Sequence, residues 1–575
     1  MKHWLRGLLP PLDWLSSYNR DALASDSLAA VIVTIMLIPQ SLAYALLAGL
    51  PAEMGLYASV LPLLAYAIFG SSRTLSVGPV AVVSLMTASS VGKIAATGSL
   101  GYASAAVAMA LLSGAMLIGM GLMRFGYLAN LLSHPVVSGF ITASGIIIAL
   151  SQLRHIFGIE AHGETLPTLA GTLLSNLSQI NTVTTTTGVA ALVFLFWVRS
   201  GFAPLLRRIG MSPKAASMLV KAGPVLVIIA TTLASVFYGF ENLGVALVGK
   251  VPQGLPAFAI PEIDFELWSE LAVSALLISV IGFVESVSVG KTLAAKRRQR
   301  IDANQELVAL GAANVASAVS GGFPVTGGFS RSVVNFDAGA QTQLASVLTA
   351  FGIAAAALFL TPILYFLPKA TLAATIIVAV TSLIDFGLVK LAWSYSRSDF
   401  TAVMVTILST LFFGVELGVL AGIVASISLH LHKTSQPHIA IVGEVPGTEH
   451  FRNVNRHDVI THASIVSLRI DESLYFANAG YMESAIYAVI AEHDAGLKHI
   501  ILQCTAVNAI DLSALEALEA VTLRLKEQGI MLHLSEVKGP VMDALERTDF
   551  LERLSGEVFL TQHQACEALK PAAES

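Results

Sequence analysis

The stretch Ser320–Asn335, "SGGFPVTGGFSRSVVN", lies among long apolar segments but cannot itself form an ordinary membrane-spanning helix. It contains four glycines, one proline, three serines and an arginine. Glycine weakens a helix, and proline lacks the amide hydrogen that an inner helical turn needs. Irregular backbone is tolerated at membrane depth only where it is buried in protein or lines a cavity. The stretch therefore predicts a broken span at a site inside the protein.

The composition is that of a polytopic α-helical membrane protein. Of the 575 residues, 55% are hydrophobic and 12% are charged, whereas soluble domains carry about 25% charged residues. Apolar stretches of helix length recur from Ser27 to about His430. A single anchor or a secretory signal peptide would supply only one such stretch. We therefore expect many spans in a lipid bilayer.

Charge divides the chain into two parts. Residues 1–434 carry 23 Lys and Arg against 18 Asp and Glu, and residues 435–575 carry 10 against 20, so the net charges are +5 and −10. After Lys433, strand-like runs alternate with helical stretches, which predicts a small α/β domain with a mixed or parallel sheet. Its two cysteines, Cys504 and Cys566, need not pair in a reducing cytosol. We predict a transmembrane domain at 1–433, then a linker and a cytoplasmic domain at 434–575.

Hydropathy predicts fourteen spans in the first part. They are 27–48, 55–70, 78–93, 103–123, 134–152, 182–199, 222–240, 270–290, 305–320, 328–336, 343–366, 371–388, 399–413 and 415–432. The third and the tenth are too short or too polar to cross about 30 Å as ordinary helices. Each is third in a group of seven. The order therefore predicts a 7+7 repeat, which is inverted because seven is odd.

The basic loops set the orientation. The loops 199–221 and 291–300 are rich in Lys and Arg, whereas the loop 241–270 is acidic. Positive loops stay on the cytoplasmic side. With both basic loops inside, the N- and C-termini are cytoplasmic.

The third and tenth spans predict an anion site. We expect the tenth helix to restart after Val325 with Thr326 as its N-cap, and the third to begin at Ser76 with Pro79 in its first turn. Two facing helix N-termini contribute about +1 together and hold an anion. The residues assigned to these N-termini are Ser76, Gly78, Thr326, Gly327 and Gly328.

Four further side chains sharpen this prediction. Arg331, one turn into the tenth helix, would raise the total to about +2; the alternative is that it snorkels or pairs with Asp337. Beside the proline break at Pro39, Gln40 and Tyr44 are polar members of the first span. Glu285 lies in the apolar eighth span, where a carboxylate marks an ion or proton pathway unless it forms a structural ion pair. Its protonation would change the charge of the site from about +1 to about +2.

Four blocks of the sequence resemble the sulfate permease (SulP) family of anion transporters: 39–85, 282–296, 307–342 and 445–454. The resemblance implies a core domain and a gate domain that work by an elevator-like movement, and it implies a homodimer. It assigns the anion contacts to Gln40, Tyr44, Val80, Ala81, Phe329, Ser330 and Arg331. It also assigns ion coupling to Glu285. A glutamate there is linked to protons in plant-type sulfate members, whereas a bicarbonate member has an aspartate and uses sodium.

The tail resembles a STAS domain, which sulfate transporters share with anti-sigma-factor antagonists. Ser513 matches the phosphorylatable serine of the antagonists. The chain departs from their pattern at Leu512 and Ala514. We therefore favour Ser513 as a helix N-cap after Asp511 over a regulatory phosphorylation site.

The leading prediction is proton-coupled sulfate uptake across the cell (inner) membrane. Sodium-coupled bicarbonate transport, proton-coupled C4-dicarboxylate transport, and an uncoupled anion exchanger or channel stay open. A nucleobase carrier would place carboxylates at the site rather than Arg331. The membrane part lacks nucleophile–base and metal-ligand spacings, so we expect no enzyme, no metal and no cofactor other than the coupling ion. No feature of the sequence predicts nucleic-acid binding.

Overall fold

The computed structural model describes residues 10, 14–15, 18–97, 99–130, 133–212, 220, 223–250, 252–255, 258, 264–493 and 496–570. Parts of the basic loop 199–221 and of the acidic loop 241–270 lie outside them. The chain forms two compact units, Met1–Ser426 and Ile427–Ser575. The domain boundary predicted at residue 433 stays a prediction.

The first unit is helical, and its helices follow the predicted apolar stretches closely. In chain order they are α1 Arg20–Leu47, α2 Ala52–Tyr57, α3 Leu61–Phe69, α4 Ala81–Val91, α5 Leu100–Leu122, α6 His134–Phe157, α7 Leu166–Ser175, α8 Thr182–Trp197, α9 Ala203–Arg208, α10 Gly223–Tyr238, α11 Phe265–Lys296, α12 Ala303–Val319, α13 Phe329–Asp337, α14 Leu344–Phe359, α15 Thr361–Leu364, α16 Lys369–Val380, α17 Phe386–Tyr395, α18 Arg397–Phe413 and α19 Val415–Ser435. Two strands of two residues each, β1 Val77–Gly78 and β2 Thr326–Gly327, complete the unit.

Seven helical segments of the described chain are long and apolar enough to cross a membrane: Arg20–Leu47, Ala52–Phe69, Gly101–Leu122, His134–Phe157, Thr182–Arg208, Phe265–Lys296 and Val415–Ser435. Five shorter apolar helices accompany them, and α4 is one of these. The predicted second span is bent into α2 and α3, and the predicted twelfth ends early, at Val380. The protein is therefore a multi-pass membrane protein, whereas the count of fourteen spans and the 7+7 repeat stay predictions.

The long helices pack into two bundles. In the first bundle, α12 lies against α3 and α5, α11 against α5, and α14 against α1 and α3. In the second, α16 and α18 lie against α6, and α8 lies against α6 and α16. Helix α19 joins the second bundle, since a Cβ at Gly418 or Gly422 would collide with Thr410 or Thr406 of α18. We call α1–α5 with α11–α14 the first bundle, and α6–α10 with α16–α19 the second.

The second unit contains a mixed six-stranded sheet. Its strands are β3 Ile439–Glu444, β4 Phe451–Asn453, β5 Ile465–Ile470, β6 His499–Gln503, β7 Met531–Ser535 and β8 Val558–Phe559. They lie in the order β4-β3-β5-β6-β7-β8. The pairs from β5 to β8 are parallel, and β3 pairs antiparallel with β4 and β5. The helices are α20 Ala479–Glu492, α21 Leu512–Glu527, α22 Gly539–Leu545, α23 Phe550–Arg553 and α24 Gln562–Leu569. The α/β prediction is therefore confirmed.

The predicted role of Ser513 as an N-cap is wrong. Helix α21 begins at Leu512, and its N-cap is Asp511, whose carboxylate accepts from the Ala514 amide at 2.9 Å. Asp511 outcompetes Ser513 because its side chain lies one residue before the first helical turn, where the free amides are within reach. Ser513 lies exposed in that first turn, and its phosphorylation stays untested.

Two histidines of this sheet form a pair, in which His533 is buried and His499 is partly buried. His533 Nδ1 accepts from the Glu557 amide at 3.0 Å, and His533 Nε2 lies 3.1 Å from His499 Nδ1. Because Nδ1 accepts, Nε2 carries the proton of the neutral ring and donates it to His499. Burial, together with His499, lowers the pKa of His533 to about 4.

We expect this pair to make the sheet acid-sensitive. A histidine whose pKa falls on folding stabilises the folded state above its unfolded pKa of about 6.5, and the contribution is lost as the pH falls toward 4. A shift of this size corresponds to roughly 3 kcal/mol. His533→Asn, which can still accept from the Glu557 amide, should flatten the pH dependence of hydrogen exchange in β6 and β7 between pH 7 and pH 4. The exposed His450→Asn should not, and an equal effect of both would contradict the assignment.

Candidate functional site

The two predicted breaks meet in one short antiparallel pair. Val77 of β1 faces Gly327 of β2, and Gly78 faces Thr326. The Gly328 amide donates to the Ser76 carbonyl at 3.2 Å, and the Ser76 amide donates to Ser332 Oγ at 3.0 Å. Each segment thus satisfies backbone groups of the other, which the interior of a membrane protein requires.

The pairing corrects both predicted N-caps. Helix α4 begins at Ala81 after Val80, and α13 begins at Phe329 after Gly328. Ser76 and Thr326 are therefore not caps, and Pro79 precedes α4 rather than lying in its first turn. Extended pairing wins because it satisfies backbone donors and acceptors of both breaks together, whereas a hydroxyl cap satisfies one amide. Neither helix start carries a side-chain cap within the described chain, so amide donors stay available to an anion.

Two buried polar residues outside the predicted set hold β2 in place. The Val325 amide donates to Asn314 Oδ1 at 2.9 Å, and Asn314 Nδ2 donates to the Val325 carbonyl at 2.8 Å. The Gly327 amide donates to Ser286 Oγ at 2.8 Å, and Thr326 Oγ1 donates to the Gly282 carbonyl at 2.7 Å. The one signal for Asn314 in the sequence is that it is an isolated asparagine in the apolar ninth span.

Arg331 folds back across the start of its own helix. Its side chain is 2% exposed, and Nη2 donates to the Pro79 carbonyl. A Cβ at Gly78 would collide with Nη1, and a Cβ at Gly328 would collide with Nε. Within the described residues Nη1 is buried and makes no hydrogen bond. The two glycines therefore make room for a cation that retains one unused donor beside both helix starts.

Tyr44 and Glu285 lie within electrostatic range of this guanidinium. Glu285 and Arg331 carry opposite charges close enough to influence each other, and the Tyr44 phenol lies near both. Tyr44 is 9% exposed, and Glu285 Oε2 is buried without a hydrogen bond in the described chain. Glu285 and Arg331 do not form a direct ion pair among the described residues. The structure thus brings together one cation, one carboxylate and one phenol, with a donor and an acceptor left unused.

A cavity of about 410 Å³ opens between the two bundles. Gln40 and Ser330, both predicted contacts, line it, and Phe329 beside them is 50% exposed. Val80 and Ala81 are buried at the start of α4. The other lining residues include Arg199, which sequence reasoning missed because it lies at the end of a span in a basic loop. Ser513 lies in the second unit and has no part in this site.

Comparison with known families identifies the architecture. The model of the sulfate permease family matches residues 23–406, which include both breaks, Glu285 and Arg331. The chain belongs to the sulfate permease family. The STAS domain model matches residues 456–565 of the second unit. Family members are anion transporters, so the site described above lies in an anion transporter with a C-terminal STAS domain.

Relatives of this family align over almost the entire chain. Sulfate transporter 4.1, chloroplastic, of Arabidopsis thaliana is 36% identical over 98% of this chain and 83% of its own length. A probable sulfate transporter of Mycobacterium tuberculosis is 30% identical over 98% of both.

Solved structures share the fold of the chain. The murine Solute Carrier 26 family member A9 anion transporter, in the inward-facing state, is 25% identical with a TM-score of 0.89 and covers 99% of this chain and 95% of its own. The transmembrane domain of a cyanobacterium bicarbonate transporter, BicA, is 22% identical with a TM-score of 0.60 and covers 71% of this chain and 98% of its own. The latter shows likeness of fold alone.

We expect Gly328→Ala and Gly78→Ala to abolish anion uptake in proteoliposomes, because the added methyl group displaces the Arg331 guanidinium. The double variant Gly328→Ala/Arg331→Ala removes the collision. Any misfolding that the collision causes in Gly328→Ala should therefore disappear in the double variant, while uptake stays absent. Gly119→Ala is the matched control, since its methyl group would meet no atom within 4 Å. Full uptake by Gly328→Ala would show that the position of Arg331 does not matter.

Proposed function

We propose that the chain is a proton-coupled sulfate transporter of the cell membrane. The observation that carries the proposal is the buried Arg331, held with one unused donor at two uncapped helix starts and beside Glu285. Sulfate transport is the function in the names of the relatives that align over nearly the whole chain. The function of those relatives supports sulfate, while the charges of the site support an anion in general.

Charge explains how the site matches a dianion. Two helix starts contribute about +1, and Arg331 adds one unit. Ionised Glu285 removes one unit, so the site holds about +1, and protonation of Glu285 restores about +2. Protonation removes the Glu285 charge that repels sulfate. Bound sulfate in turn offsets the positive charge that disfavours protonation, so the proton and the sulfate ion enter together. The coupling ion is therefore H+ rather than Na+ in this proposal.

An elevator-type movement supplies alternating access in this proposal. The strand pair, Glu285 and Arg331 belong to the first bundle, and the second bundle forms the opposite wall of the cavity. Movement of the first bundle along the second would carry the anion with its ligands intact. With both termini cytoplasmic, the bundles correspond to the core and gate of a 7+7 inverted repeat. A homodimer in the inner membrane completes the proposal.

Uptake in proteoliposomes tests the substrate and the coupling ion together. Purified protein should accumulate radiolabelled sulfate under an inward proton gradient, and a sodium gradient should not replace it. Bicarbonate and succinate uptake are the competing arms. Absence of sulfate uptake under every gradient would refute the substrate.

Glu285→Gln should abolish acid-stimulated accumulation of sulfate, because a neutral side chain cannot carry the proton. Sulfate–sulfate exchange should survive, since the amide keeps the site at about +2. Glu266→Gln, on the exposed first turn of the same helix, is the matched control. If Glu285→Gln keeps the full pH dependence, Glu285 is not the proton carrier.

Arg199 places an exposed positive charge in the lining of the cavity. It lies in a π-helical turn, Val198–Phe202, and its Nη1 donates to the Val378 carbonyl at 3.3 Å. An exposed cation attracts anions at a range that salt screens. Arg199→Gln should therefore raise the KM for sulfate on the cavity side and weaken its salt dependence, with kcat little changed. Arg207→Gln, also exposed, is the control; equal KM shifts for both would exclude a specific role for Arg199.

A further inference from the structure

Glu416 forms a compact polar junction at the start of α19. Its carboxylate accepts from Ser90 Oγ at 2.6 Å and from Ser274 Oγ at 2.7 Å, and it forms an ion pair with Lys93 Nζ at 2.6 Å. The Glu416 side chain is 17% exposed, whereas that of Lys93 is 53% exposed. We call these four residues the Glu416 junction. Its only charges among the described residues are one carboxylate and one ammonium, which neutralise each other.

The junction links the two bundles. Glu416 belongs to the second bundle, while Ser90 lies in the last turn of α4 and Ser274 lies on α11 of the first. Lys93 lies two residues beyond the end of α4. A second contact crosses nearby, where Ser89 Oγ donates to Glu164 Oε2 at 3.2 Å just before α7. The two bundles are therefore joined by polar contacts at this end, and these contacts break if the bundles move apart.

The junction and the cavity lie on opposite sides of the anion site. Ser90 is nine residues beyond Ala81 on α4, about 13 Å along the axis, and Ser274 is about 16 Å from Glu285 on α11. The cavity instead extends along α13, past Ser330 to Val334. Because β1 and β2 are antiparallel, α4 and α13 leave the pair toward opposite ends. At one end the bundles are thus joined by an ion pair and hydrogen bonds, whereas the cavity lies toward the other end.

We propose that Lys93 and Glu416 are positioning residues that decide from which side the anion site can be reached. The junction holds the first bundle where the site opens toward the cavity, and it opens when the bundle carries the anion to the other side. Water can replace its hydrogen bonds as it opens, since Lys93 is already half-exposed. The inference rests on the proposed transport function. Neither residue touches the anion.

Thiol accessibility tests the inference without any substrate. Thr375 lines the cavity on the second bundle, so Thr375→Cys reports whether the cavity is open. The two native cysteines are buried in the second unit, and burial raises the pKa of the Cys504 thiol to about 12 and also raises that of Cys566. A thiol reagent that reacts through the thiolate therefore finds little background.

In the Thr375→Cys chain, Lys93→Glu and Glu416→Lys each place like charges face to face. Each should shift the population away from the cavity-open state and reduce labelling from the cavity side severalfold. The charge exchange Lys93→Glu/Glu416→Lys should restore labelling to the level of the parent, because the ion pair re-forms. Lys390→Glu, an exposed charge reversal on α17, is the control.

Should the reversals fail to fold, Glu416→Gln and Ser274→Ala remove one interaction each and should produce smaller losses in the same direction. Unchanged labelling in folded single variants, or a double variant no better than the singles, overturns the inference. Sulfate uptake by the parent chain is measured separately. If the parent takes up sulfate but the variants are labelled like the parent, the role of the junction is refuted and the transport function stands. If the parent takes up no sulfate but the variants show the expected labelling, only sulfate as the substrate is refuted.

Discussion

The backbone pairing of Val77–Gly78 with Thr326–Gly327 is the constraint on which the rest of the transport unit depends. A broken helix in a bilayer leaves donors and acceptors that no water can satisfy. Here two breaks satisfy one another, with Asn314 and Ser286 as side-chain partners for what remains. The result is a hydrogen-bonded crossing, and α4 and α13 begin shortly after its two strands. Arg331 lies across it, and Glu285 lies beside it.

Much of this arrangement could be predicted from the sequence, because apolar length and Gly–Pro breaks are local signals. The tenth span was predicted at 328–336, and the helix occupies Phe329–Asp337. The N-caps at Ser76 and Thr326 were wrong for a physical reason. A capping rule considers only neighbours in sequence, whereas these residues pair with backbone about 250 positions away. The back-folding of Arg331 onto Pro79 escaped prediction for the same reason.

Contacts between the bundles were the least predictable part. From the sequence, Glu416 is an ordinary acidic residue in a first helical turn, where the helix dipole stabilises a negative charge. Its partners Ser90, Lys93 and Ser274 are 326, 323 and 142 positions away. Arg199 likewise reads as one more cation of a basic loop, although it lines the cavity. Polar residues that connect the two bundles are ordinary in the sequence, and only their partners in the folded structure identify them.

In the proposed anion site, Arg331 supplies a positive charge that is held in place before the anion binds. A buried guanidinium is costly unless its donors are used. The Pro79 carbonyl accepts from Nη2 and fixes the plane of the guanidinium, so in the proposed site the unused Nη1 is in position before the anion binds. Binding then needs little reorganisation of the protein, which is how fixed dipoles and charges act most effectively in a dry site. In the proposed elevator-type movement, Arg331 stays bonded to Pro79 and the first bundle moves as a whole when the anion changes sides.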